Sequence, residues 1–118
     1  MFNWRNPTVQ LLGRWQPWHE GHTALFKEAH KKTGQVAIMC RDVYQIDENN
    51  PYGMVEVHDR IESTLTQEGF TYYKDFVIME VPNIVDISYG RDVGYSLTKH
   101  DLGEEIHQIS ATKIRNKI

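Results

Sequence analysis

A single cysteine, Cys40, stands in the 118 residues, so no disulfide can form within the chain. Its apolar neighbours Val36, Ala37, Ile38 and Met39 mark it as a small core residue of a buried strand. No apolar run approaches the roughly 18 residues of a membrane helix, and the N-terminal stretch around Arg5 and Pro7 lacks the apolar segment of a secretory leader. The expected setting is therefore soluble, reducing and cytoplasmic, with no membrane partner. A basic excess is missing too: 13 Lys+Arg against 16 Asp+Glu give a formal charge of -3. A polymer phosphate backbone calls for the opposite balance, so nucleic acid is not an expected partner. Repeats, low-complexity tracts and Ser/Gly linkers are absent as well, and residues 1–118 read as one domain with a single core.

The positive signals begin with an apolar strand over residues 8–12, followed by Gly13-Arg14-Trp15-Gln16-Pro17-Trp18-His19-Glu20-Gly21-His22. Leu25, Phe26 and Ala29 then recur at helical spacing, which places the histidines on a strand-to-helix turn. The amides at a helix start are unpaired and the helix dipole favours anions there, so phosphate is the expected ligand. Gly21 allows a ligand to approach the backbone without meeting a Cβ. Gly34 ends the helix, and residues 35–40 form a second strand, completing a βαβ unit. A polar loop over 41–54 leaves that strand on the side where open parallel sheets hold ligands. Val57, Ile61 and Leu65 mark a second helix ending near Gly69, and residues 76–81 a third strand. Residues 84–88 follow too closely for a helical crossover, so they are either a strand or an extended loop at the sheet edge. A glycine-containing loop follows through Gly90, Arg91, Asp92 and Gly94. Residues 104–108 read as a last short strand, and Ser110 caps a terminal helix carrying Ile114 and Ile118.

A second motif, Ile109-Ser110-Ala111-Thr112-Lys113-Ile114-Arg115, stands at the far end of the chain. With the HxGH element at residues 19–22, it resembles the signatures of the cytidylyltransferase-like nucleotidyltransferase superfamily. That superfamily includes the nicotinamide-mononucleotide and phosphopantetheine adenylyltransferases and the small cytidylyltransferases. Asn50-Pro51-Tyr52 followed by Arg60-Ile61 is similar to an NPF…ERI stretch of several adenylyltransferases. The form GRxQPxHxGH is nearest to the nicotinamide-mononucleotide enzymes. The stretch Glu105-Ile106-His107-Gln108 stands where cytidylyltransferases carry Arg-Thr-Glu-Gly, which favours ATP over CTP.

The resemblance implies a compact, three-layer, Rossmann-like α/β domain with a mostly parallel sheet. It also implies transfer of AMP from ATP to a small phosphorylated acceptor with release of pyrophosphate, assisted by Mg²⁺. CTP with a phosphorylated polyol or amino alcohol, sulfate as acceptor, and a nucleotide-binding regulatory domain without turnover are the alternatives. By this resemblance His19, His22 and Arg115 carry the chemistry. Gly13, Arg14, Trp15, Gly21, Arg91, Asp92, Ser110, Ala111 and Thr112 hold the nucleotide, and Trp18, Arg41 and Asp42 hold the acceptor.

No residue is expected to ligate a metal directly, since HEGH is not the HExxH zinc motif. Arg14 serves either phosphate or a structural ion pair, and Arg41 and Asp42 either the acceptor or an ordinary loop pair. The two indoles either stack on a substrate ring or cover the core. His30, His58, His100 and His107 read as structural or merely exposed. Many relatives continue into further helices after the second motif, so a homo-oligomer, or a partner subunit completing the acceptor site, is a further expectation.

Overall fold

The computed structural model describes residues 1–41, 46, 48, 51–91 and 95–98. Three strands, β1 (Val9–Gly13), β2 (Val36–Arg41) and β3 (Phe76–Val81), alternate with helices α1 (Glu20–Thr33) and α2 (Met54–Gln67). The strands pair in parallel in the order β1-β2-β3, with Leu11, Ile38 and Ile78 in register across the sheet. This is the Rossmann-like α/β arrangement that the family resemblance implies, with the first three strands and two helices where the periodicities place them.

Alternation along the strands sorts side chains between two faces. Leu11, Val36, Ile38, Cys40, Phe76 and Ile78 share one core with Phe26 and Ala29 of α1 and Val57, Ile61 and Leu65 of α2. Both helices therefore cover the same face. Ala37 and Val77 point the other way and pack beneath Phe2. The described residues thus supply the sheet and one helical layer. The buried Gln35 fastens the N-terminal segment under this second face: its amide nitrogen donates to the Asn3 carbonyl at 2.7 Å and its oxygen accepts from the Asn3 amide at 3.1 Å.

The helix ends follow from local chemistry. Gly34 closes α1 in the left-handed region at φ 78°, where its amide bonds the His30 carbonyl, a geometry that a Cβ would penalise. At the start of α1 the cap is His19, described below. The valine, isoleucine and leucine of α2 recur at spacing four and sink into the core, each worth about 1.5–3 kcal/mol against exposure. Of the two readings of residues 84–88, the structure shows the loop: no strand forms, and the chain runs exposed from Val85 onward to Arg91. Cys40 is fully buried, and burial, with Glu80 nearby, pushes its thiol up to about 12. No helix among the described residues is long and apolar enough to cross a membrane.

Candidate functional site

The carboxyl end of β1 opens into a loop over residues 14–19 that each neighbouring element holds at a different point. Trp15 sits at φ 53°, a conformation unusual for a side-chain-bearing residue. Its indole is buried and donates from Nε1 to the Met39 carbonyl of β2 at 3.0 Å. A Cβ on Gly13 would lie 3.0 Å from this ring, so the glycine makes room for the indole. The Gln16 amide pairs with the backbone of Tyr52, donating to its carbonyl at 2.9 Å and accepting from its amide at 2.8 Å. Trp18 is 1% exposed and donates to Thr23 Oγ1 at 2.8 Å, while its carbonyl accepts from Arg60 Nε of α2 at 2.7 Å.

His19 then caps α1. The Gly21 amide donates to His19 Nδ1 at 3.0 Å, and the His19 amide donates to His22 Nδ1 at 3.1 Å. This is a capping box built from two imidazoles instead of a hydroxyl and a carboxylate. A backbone N–H can only donate, so both Nδ1 atoms are acceptors and both rings, when neutral, carry their proton on Nε2. The rings stack with centroids 3.8 Å apart and 24° between planes, and His22 meets Trp15 edge-on at 4.9 Å. Burial, with the neighbouring His19, lowers His22 to about 3. Burial is also the main influence lowering His19, with the Arg60 charge adding to it and Glu20 opposing it. Both rings are neutral at neutral pH and present Nε2–H donors.

This differs from the expectation of bare amides at the helix start. The amides of His22 and Thr23 bond the His19 carbonyl at 2.9 and 3.1 Å, and that of Gly21 is taken by the His19 ring. The imidazoles thus occupy the positive end of the helix, their Nδ1 atoms taking up backbone amides there.

The resemblance in the two motifs has a counterpart along most of the chain. The chain is similar to a nucleotidyltransferase. It is 28% identical over 123 aligned residues to the nicotinamide-nucleotide adenylyltransferase of Methanococcus aeolicus, across 91% of this chain and 68% of that protein. No protein-family model matches.

The remaining expected site residues distribute unevenly. Arg14 and Arg41, from the ends of adjacent strands, converge on the segment after β3: Arg14 Nη2 reaches Asn83 Oδ1 at 3.5 Å and Arg41 Nη1 donates to the Ile84 carbonyl at 2.9 Å. Arg41 Nε is buried with no hydrogen-bond partner among the described residues. Arg91 is exposed further along that segment. Of the roles open to the two indoles, the structure shows core covering: Trp15 and Trp18 are both buried in the main core and shape the loop. Asp42, Asp92, Ser110, Ala111, Thr112 and Arg115 lie outside the described residues, as do His100, His107 and the elements expected after residue 98.

Of the histidines read as structural, His30 pairs with Asp75 at 2.9 Å, and His58 lies 3.4 Å from the Tyr72 hydroxyl. His58, Asp59 and Glu62 bring ligand atoms within 4.8 Å of one another on α2. The braces from Gln16 to Tyr52 and from Arg60 to Trp18 are the parts of the site that motif reading missed. Their only trace in sequence is the similarity of Asn50-Pro51-Tyr52 and Arg60-Ile61 to the relatives' NPF…ERI stretch.

Proposed function

We propose that the chain transfers AMP from ATP to a small phosphorylated acceptor. The observation that carries this reading is the reciprocal capping of His19 and His22, which turns two neutral imidazoles into fixed Nε2–H donors at the carboxyl end of a parallel sheet. That position is where open α/β sheets receive phosphate ligands. The similarity to a nicotinamide-nucleotide adenylyltransferase supports AMP over CMP as the group transferred and makes nicotinamide mononucleotide the first acceptor to test.

In this reaction an oxygen of the acceptor phosphate forms a bond to the α-phosphorus of ATP. The bond from that phosphorus to its bridging oxygen breaks, and pyrophosphate leaves with the electron pair. The acceptor phosphate, with a second pKa of about 6, is already ionised at neutral pH and needs no general base. The protein's work is to align two anions and to stabilise the charge that builds on the phosphoryl oxygens. His22, in the first turn of α1, donates to the α-phosphate, and His19 to its neighbours. The braced loop costs no reorganisation when these donors act. Ser110, Thr112 and Arg115 belong to the same proposal as phosphate ligands, and Arg41 as an acceptor ligand.

Mg²⁺ takes hard oxygen ligands, whereas the histidine cradle offers protonated ring nitrogens and core indoles. The described residues around it do not fit a protein-held Mg²⁺; a metal bound to the triphosphate oxygens would enter with the substrate.

The test is pyrophosphate release from ATP or CTP with nicotinamide mononucleotide, a panel of other phosphorylated acceptors, or sulfate, with the adenylylated product identified by mass. Release with ATP and one acceptor, abolished by His22→Ala, is expected. Preference for CTP would replace the donor, and tight nucleotide binding without product from any acceptor would favour a regulatory role.

A further inference from the structure

We infer that Arg60 is a phosphate-binding residue of this site, its guanidinium held beside His19 to receive the oxygens that leave as pyrophosphate. The inference rests on the nucleotidyl-transfer reading of the histidine cradle. Arg60 lies on α2 one residue before the buried Ile61, exposed on the flank that meets the 14–19 loop. Its Nε donates to the Trp18 carbonyl at 2.7 Å, the residue immediately before the cap. That bond fixes the head of a long side chain at the mouth of the cradle. It uses only one of the five guanidinium N–H groups, and no other partner stands among the described residues.

The site also calls for such a charge. A triphosphate brings several negative charges, yet the two imidazoles, whose Nδ1 atoms are committed to backbone amides, contribute dipoles and no net charge. Of the other arginines at this end of the sheet, Arg14 reaches toward Asn83 and Arg41 donates to the Ile84 carbonyl, both in the segment after β3. Arg60 is the described cation that acts on His19, its charge being one of the influences that keep that ring neutral. Placed next to His19 and not His22, it addresses the β- and γ-phosphates and not the α-phosphate.

The experiment measures dissociation constants for ATP, AMP and inorganic pyrophosphate on the full chain by calorimetry, in wild type, Arg60→Gln, Arg60→Lys and His22→Ala. Gln keeps an N–H donor for the Trp18 carbonyl and removes the charge, whereas Lys keeps the charge and loses the planar fork. Loss of one charge-assisted contact should weaken ATP and pyrophosphate about tenfold in Arg60→Gln, with AMP changed by less than about twofold. The salt dependence of pyrophosphate binding should become shallower in Arg60→Gln and stay near wild type in Arg60→Lys. Equal loss for all three ligands, or the same loss in both variants, would make Arg60 a brace and overturn the inference. So would an unchanged Arg60→Gln beside a weakened His22→Ala, which would leave the cradle reading standing. Failure of wild type to bind ATP or pyrophosphate would overturn both.

Discussion

Replacing His22 by Gln separates the structural task of this side chain from its electrostatic one. In the folded protein His22 Nδ1 accepts from the His19 amide, the contact that a Glu or Gln at the same helix position makes in ordinary capping boxes. Gln therefore keeps the cap and removes the titration. An unfolded chain protonates His22 near 6.5, whereas the folded ring resists until about 3 because protonation would place a charge in a mostly buried site. Stability from this group is full above 6.5 and is lost as pH falls toward 3, since only the unfolded chain takes up the proton. Between pH 7 and pH 5 the loss comes to roughly 1–2 kcal/mol, allowing for the edge of the ring that water reaches. Denaturant titrations followed by the fluorescence of buried Trp15 and Trp18, run at both pH values, measure it directly. The wild type should lose this increment relative to His22→Gln, and the variant should also lose nucleotide binding for want of the Nε2–H donor. Equal pH dependence in the two proteins would mean that the folded ring titrates normally and that the neutral-donor description is wrong.

The other predictions concern the frame around the site. Asp75 joins β3 to α1: burial opposes its ionisation, but the Thr71 amide and His30 outweigh this and hold its carboxyl below the usual 3.8. Asp75→Asn should therefore cost about 1–2 kcal/mol at pH 7, an effect that disappears as pH falls through the lowered carboxyl value, readable in the same denaturant titrations. Gly13→Ala would press a methyl against the Trp15 ring at 3.0 Å. It should lower stability by about 1–3 kcal/mol and shift the tryptophan emission; an unchanged spectrum would show that the ring has room the structure denies it.

Much of the fold is legible from residue order alone. The apolar runs that become β2 and β3 are nearly continuous because parallel strands under helices are buried, and the spacing of Val57, Ile61 and Leu65 fixes α2 within a few residues. Residues 84–88 left strand and loop both open, since apolar side chains at 85 and 87 look like a strand, and no partner strand stands beside them among the described residues. The histidine pair was visible through its motif and its place on a strand-to-helix turn. Its manner of working was not, because capping depends on where ring nitrogens fall relative to amides, and an HxGH spacing does not encode a tautomer.

Sequence by itself therefore determined the order of the described elements, their core and the position of the histidines, all of which rest on periodicity and local spacing. Tertiary structure decided the rest. It turned Trp15 and Trp18 inward, gave Gly13 to an indole, and set Arg14 and Arg41 on the segment after β3. It also brought Arg60, some 40 residues on in the chain, to the carbonyl that precedes the cap. These are contacts between distant segments, and their geometry exists only once the helices have packed on the sheet and fixed which donor meets which acceptor.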